Sequence, residues 1–180
     1  MFTFGREHEQ CAAIARVTDP EEQAFIRLLI DAIHDLIEGR VGVPTVRALL
    51  QRGISEGRGG TWEQSGVWLR KLGPEHPELL DLWSQLASHR SAQVRFRIAA
   101  FLSDMPPQLA LRLGTLLLAD RSAKVRGKAG SDLALVPISG VMELLRASAA
   151  KEADEGALAN LQWAIEERGA KIREEHAKGV

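Results

Sequence analysis

The chain has 180 residues, of which 45% are apolar and 26% charged, and its formal net charge is −1. This composition excludes a disordered or collagen-like chain, and the length suffices for one domain that buries about 70% of its unfolded surface. No stretch approaches the run of about 20 consecutive apolar residues that a membrane span requires. The first residues lack the apolar core of a secretory signal, and the single cysteine fits a reducing compartment. We therefore expect a cytoplasmic protein without membrane contact.

The first predicted elements form a helical head over residues 1–54. Its clearest helix spans 20–38, because Asp19 suits the N-cap position and apolar residues recur at helical spacing behind it. A second helix is predicted over 44–52, and the following Gly53 is expected to form its left-handed cap.

A Gly-rich loop, Ser55-Glu-Gly-Arg-Gly-Gly-Thr61, follows the head. The order of residues that cradles a phosphate, Gly-x-x-x-x-Gly-Lys-Ser/Thr, is absent, and no strand is predicted before the loop. We therefore interpret 55–61 as a hinge between the head and the rest of a single domain, 1–180.

An internal repeat begins after this loop. Arg90-Ser-Ala-Gln-Val-Arg95 and Arg121-Ser-Ala-Lys-Val-Arg126 are identical at five of six positions, and Pro106 and Pro137 lie at the same offset of 31 residues. Each unit is predicted to be a helix, a Pro-marked turn and a second helix, and three to four such units fill 61–180. No sustained alternation of apolar and polar residues indicates a strand, so the sequence predicts an all-α fold.

The Val-Arg pair, the small residues of Ile98-Ala-Ala100 and the Pro-led second helix resemble HEAT-like repeats of the short type, with about 30 residues each. The likeness covers 88–149, extends to 61–87 and 150–170, and is absent from the N-terminal third. It implies a short α-solenoid with a concave binding face. The chain departs from the pattern at 127–132, which is rich in glycine, and a weakened helix is expected there.

Residues 88–131, here called the basic belt, carry eight basic residues against two acidic ones, a net charge of +6. Four of the basic residues recur at matched positions of the repeats: Arg95, Arg97, Arg126 and Lys128. They predict a row of positive charge that binds nucleic-acid phosphates or an acidic protein. The HEAT resemblance implies that Arg95 and Arg126 instead bond to an acid or a carbonyl of the neighbouring repeat, which makes Arg97 and Lys128 the first candidates for binding.

Arg90 and Arg121 precede the helices, in the turns between repeats. They are interpreted either as solvated loop charges or as further binding residues. Among the four tryptophans, Trp68 and Trp83 have the spacing of core residues, whereas Trp62 follows the Gly-rich loop and is the candidate for an exposed aromatic anchor.

No catalytic, metal or cofactor set emerges from the sequence. The five histidines are scattered without a His-Glu-x-x-His pair, and no Gly-x-Ser-x-Gly occurs. A DNA glycosylase family built from HEAT-like repeats is similar in architecture. That resemblance implies a clearly basic protein with aromatics beside an acid, whereas this chain has no aromatic residue between Phe101 and Trp163.

These patterns favour a non-enzymatic protein-binding module that uses the concave face of the solenoid. A sharper hypothesis is an immunity-type inhibitor of a bacterial toxin, in which the acidic residues of 1–40, net −4, meet a basic enzyme cleft. The alternative is nucleic-acid binding through the basic belt, with a HEAT-like DNA glycosylase as a remote enzyme option. The partner's identity and the oligomeric state are not predicted.

Overall fold

The computed structural model describes residues 5–15 and 17–177, with side chains described up to residue 174. The regular structure of these residues is entirely helical, without a strand, so the prediction of an all-α fold is confirmed. The helices are α1 (Arg6–Ile14), α2 (Pro20–Ile37), α3 (Val43–Glu56), α4 (Thr61–Leu72), α5 (Asp81–Ala87), α6 (Ala92–Ala99), α7 (Pro107–Leu118), α8 (Ala123–Leu133), α9 (Val141–Ala149) and α10 (Glu155–Ala177). Short 3₁₀ helices occupy Pro77–Leu79 and Leu102–Asp104.

The chain divides into two compact units, Met1–Leu86 and Ala87–Val180. In the first unit, α2 contacts α1, α3 and α4. The Asp19 carboxylate caps α2 by accepting hydrogen bonds from the backbone N–H groups of Glu21 (2.9 Å) and Glu22 (3.4 Å). Gly39, with φ of +73°, follows the end of the helix. The predicted helix over 20–38 is confirmed with its cap.

Helix α3 is longer than predicted, and the expected left-handed cap at Gly53 is wrong. Gly53 lies inside α3, where a Cβ atom would come within 2.9 Å of the Cβ atom of the buried Ser65 on α4. The missing side chain therefore serves the close approach of two helices rather than a turn.

The Gly-rich loop lies within the first unit, and the division of the chain falls after Leu86. The Arg58 backbone N–H donates to the Glu22 carboxylate (3.0 Å), and its guanidinium forms ion pairs with Glu22 (3.3 Å) and Asp19 (3.1 Å). These contacts tie the loop to the start of α2. Bending at 55–61 remains a prediction.

In the second unit, α8 contacts α6 on one side and α10 on the other, while α7 packs on α6 and α8, and α9 packs on α7 and α10. The predicted succession of helix, proline and helix is present twice. Pro106 is the N-cap residue of α7, and Pro137 lies between α8 and α9.

Helix α8 continues through 127–132, where a weakened helix is expected. A Cβ atom on Gly127 would lie 2.8 Å from Nδ2 of Asn160, and one on Gly130 would lie 2.5 Å from a methyl group of Leu161. Both contacts belong to α10. The two glycines therefore let α10 approach α8 closely, and this tertiary packing outweighs their low helix propensity.

The tryptophan side chains predicted to be core, Trp68 and Trp83, are 2% and 1% exposed, so that prediction is confirmed. Among the described residues, no helix combines the length and the apolar character that crossing a membrane requires.

Candidate functional site

An arginine brace crosses the second unit from α6 to the turn before α8. Arg95 is only 6% exposed, and its Nε and Nη2 donate to the Asp120 carboxylate at 2.5 and 2.9 Å. Its Nη1 donates to the backbone carbonyls of His89 (2.7 Å) and Arg90 (3.0 Å). Burial alone would raise the pKa of Asp120, but hydrogen bonds from Arg95 and from the Ser122 backbone N–H lower it overall.

The same brace recurs 31 residues later, between α8 and the turn before α10. Nε and Nη2 of Arg126 each donate to the Glu152 carboxylate at 2.6 Å, and Nη1 donates to the Asp120 carbonyl at 2.8 Å. The hydrogen bonds from Arg126, which outweigh burial, lower the pKa of Glu152 to about 2. Arg95 and Arg126 thus make the bonds that the HEAT resemblance implies.

Sequence reasoning missed the partners of these arginines. His89, Asp120 and Glu152 hold equivalent positions, and the side chain of each accepts the backbone N–H two residues further along, at 3.1, 2.8 and 2.9 Å. A signal was present, since the three residues lie 31 and 32 residues apart, each three residues before the start of a helix. Their residue types differ, however, so identity alone does not reveal the repeat.

Arg97 and Lys128 do not face the same way as Arg95 and Arg126. Residues two apart on an α-helix point about 200° apart, so the four side chains form two sets rather than one row. Arg97 is 9% exposed and therefore largely inside the protein. The Lys128 ammonium lies 2.6 Å from the carboxylate of the buried Asp132, whose pKa is raised by burial against the opposing effect of Lys128. The first binding candidates thus present little accessible charge.

Arg90 and Arg121, in contrast, are exposed. Nη2 of Arg121 donates to the Arg90 carbonyl at 2.8 Å, so the two turns are linked. Both residues line a groove of about 430 Å³, here called the first groove. Its walls also include Leu116, Ala119 and the Arg95–Asp120 brace. Leu116 is 48% exposed. Cationic and apolar surface therefore meet in this groove.

A second groove, also of about 430 Å³, adjoins the first and shares Ala119 and Asp120 with it. It lies between the ends of α7 and α9 and includes the Arg126–Glu152 brace, and the exposed Ala147 and Lys151 belong to its walls. The two grooves, here called the paired grooves, follow the repeat. Each contains one arginine brace and at least one exposed cation.

Trp62 is half-buried, so the expected exposed anchor is not the most accessible tryptophan. The exposed one is Trp163, at 48%. Its neighbours Leu161 and Ala164 form the buried side of α10, and position 163 falls outside that stripe. The sequence alone does not show that Trp163 is exposed, because it does not show which face of α10 packs against the other helices.

The acidic residues of the head are largely engaged within the first unit. Arg6 forms ion pairs with Asp31 (3.3 Å) and Asp35 (2.8 Å), and Arg40 pairs with Asp35 and Glu38. Hydrogen bonds from Arg40 and Arg6 lower the pKa of Asp35. These contacts compensate part of the negative charge that the toxin-inhibitor hypothesis assigns to a partner.

In the part of the chain that the structure describes, no group of three or more His, Cys, Asp or Glu residues has the arrangement to hold a metal ion. Cys11 is an exposed free thiol. No protein-family model matches the chain, and neither the curated proteins nor the solved structures give a significant match. Its function is therefore inferred from its own residues and their geometry.

Proposed function

We propose that the chain is a non-enzymatic protein-binding module whose partner docks in the paired grooves of the second unit. The proposal treats the helix pairs of this unit as HEAT-like repeats that form a short α-solenoid. The supporting observation is the adjacency of two repeated grooves that combine exposed cations with exposed apolar surface.

The composition of the paired grooves favours a protein partner. Protein interfaces are enriched in arginine and in apolar anchors, with polar groups toward the rim. Leu116 and Ala119 offer apolar contact, and Arg90 and Arg121 supply charged groups beside them. Because the braces hold the backbone of both turns, the grooves are organised before binding, which lowers the entropic cost of association.

Nucleic acid is less well matched, because its affinity depends on the number of phosphates that cations neutralise. Half of the eight basic residues in the basic belt are buried or ion-paired: Arg95, Arg97, Arg126 and Lys128.

The test is affinity capture from the native host with two charge-reversal variants. Arg90→Glu with Arg121→Glu changes the grooves, whereas Arg112→Glu with Lys124→Glu makes the same charge change at exposed belt residues that do not line the grooves. Captured material is identified by mass spectrometry and by the ratio of absorbance at 260 and 280 nm.

We expect a stoichiometric protein that the wild type and the control variant retain and the groove variant loses. Circular dichroism establishes that all three are folded. Equal retention by both variants, or nucleic acid that dissociates when the salt concentration is raised, contradicts the proposal.

The sharper form of the proposal is that this partner is a bacterial toxin and the chain is its inhibitor. We base it on the small size of the chain, its divided charge and the lack of a catalytic set in the sequence. In that case expression of the partner alone arrests growth, co-expression with the wild-type chain restores it, and the groove variant fails to do so. Growth that is unaffected by the partner contradicts the inhibitor hypothesis and leaves the binding proposal in place.

A further inference from the structure

The charges of the paired grooves do not cancel. The carboxylates of Asp120 and Glu152 are bound by the buried or half-buried arginines of the two braces. Three cations at the rim are exposed and form no ion pair in the described part of the chain, although Arg121 attracts the Asp120 carboxylate electrostatically: Arg90, Arg121 and Lys151. The surface open to a partner is therefore positive, and the complementary partner surface is acidic.

These rim cations lie one per repeat, at intervals of 31 and 30 residues. The two grooves belong to successive repeats, since Leu116 in the first groove and Ala147 in the second lie 31 residues apart. Packed helices lie about 8–10 Å apart, so one repeat separates the grooves by a distance on the order of 10 Å. The saddle between them contains the exposed methyl side chain of Ala119, which belongs to both grooves. A partner element can thus cross the saddle and place one side chain in each groove.

This spacing is close to a repeat distance of the α-helix. Residues seven apart on an α-helix lie on one face and about 10.5 Å apart along the axis. Residues three apart on a strand span a similar distance, about 10 Å, but point to opposite faces, and those two or four apart span about 7 or 13 Å. Two side chains on one face of a helix, seven residues apart, therefore match a groove spacing on the order of 10 Å.

We infer that the element bound in the paired grooves is an acidic amphipathic helix with apolar anchors seven residues apart, an inference that rests on the function proposed above. One anchor contacts Leu116 in the first groove, and the other contacts Ala147 in the second. Glu or Asp residues three or four positions from each anchor lie on the same side of the helix and reach Arg90, Arg121 and Lys151.

The inference is tested with a displayed library of 22-residue, alanine-based helices in which every position of one face is randomised. Selection on the wild-type chain is followed by counter-selection on the Arg90→Glu, Arg121→Glu variant. We expect enrichment of sequences with two large apolar residues seven apart and an excess of acidic residues. Their affinities, measured by fluorescence anisotropy, are expected to fall at least about tenfold in the groove variant and less than about twofold in the Arg112→Glu, Lys124→Glu control.

Enrichment of basic sequences, of another anchor spacing, or of no sequence that depends on the groove overturns the inference. Its failure is distinguishable from failure of the proposed function. If affinity capture still depends on Arg90 and Arg121 while the library yields no acidic helix, the grooves bind a protein element of different geometry. If both experiments are insensitive to the two arginines, the proposed function fails as well.

Discussion

Replacing Arg126 with glutamine tests the brace that organises the second groove. The change removes two hydrogen bonds to Glu152, each of 2.6 Å, and one of 2.8 Å to the Asp120 carbonyl. The Glu152 carboxylate, whose side chain is 2% exposed, then retains the backbone N–H groups of Ala153 and Asp154 as donors. Hydrogen bonds to charged groups contribute about 1.5–3 kcal/mol each but are not additive, and solvent screens Arg126 in part. We expect the free energy of unfolding to fall by about 2–4 kcal/mol at pH 7.

The effect has a predicted pH dependence. The pKa of Glu152 is about 2 in the folded protein, below its ordinary value of 4.5. A carboxyl group whose pKa is lowered by folding contributes stability that is complete above the unfolded pKa and is lost as the pH falls toward the folded pKa. The difference in unfolding free energy between wild type and Arg126→Gln should therefore be constant from pH 7 to about 5 and shrink between 4.5 and 2.

Urea unfolding followed by far-ultraviolet circular dichroism at pH 7, 4.5 and 3 measures this difference. The matched control is Arg146→Gln, which removes the same group from the exposed face of α9 and should change stability by less than about 0.5 kcal/mol. An Arg126→Gln variant as stable as this control at pH 7 refutes the brace. A loss of the same size at pH 7 and pH 3 refutes the role of Glu152.

Two further predictions concern the packing. Gly53→Ala should lower the free energy of unfolding by about 1–3 kcal/mol, because the new Cβ atom would lie 2.9 Å from the Ser65 Cβ atom. Thermal unfolding measures the loss, with Gly156→Ala at an exposed position as the control. If the two variants are equally stable, the close approach at Gly53 is contradicted. Asp132→Asn should be neutral or stabilising at pH 7, because burial raises the pKa of Asp132. Its ionised form therefore opposes folding as the pH rises above the ordinary value of 3.8. A fall of more than about 2 kcal/mol in the free energy of unfolding, measured in urea, contradicts this and shows that the ion pair with Lys128 dominates.

The features that could be predicted from the sequence are those with a local signal. Helix α2 has its N-cap, its apolar stripe and its terminating glycine within one segment, and the repeat reveals itself by identity at a fixed offset. The roles of Gly53 and Gly130 could not be predicted, because each depends on which helix packs against it. Local sequence rules predict that a glycine ends a helix, but a glycine is also required where two helices approach closely, and the sequence does not distinguish the two roles.

The basic belt illustrates a different limit of the sequence analysis. A count of charges along 88–131 gives +6, but it does not tell which cations have partners, because the partners of Arg95 and Arg126 lie 25 and 26 residues away. Helix α6 packs on both α7 and α8, so both Arg95 and Arg97 are covered although they point in different directions. Burial of both sides of α6 depends on the helices that pack around it, and the sequence of α6 alone does not reveal it.

The repeated hexapeptide joins the two classes of arginine. Its last residue, Arg95 or Arg126, donates to backbone carbonyls of the turn that precedes the helix. Its first residue, Arg90 or Arg121, lies in or next to that same turn with an exposed side chain. The valine before the last arginine is buried in each copy, with Val94 2% and Val125 1% exposed, and it anchors the start of its helix in the core. The buried arginine therefore holds the backbone of the turn in or beside which the exposed arginine lies. The hexapeptide therefore combines in one local unit a buried arginine that braces a turn and an exposed arginine in or beside the same turn.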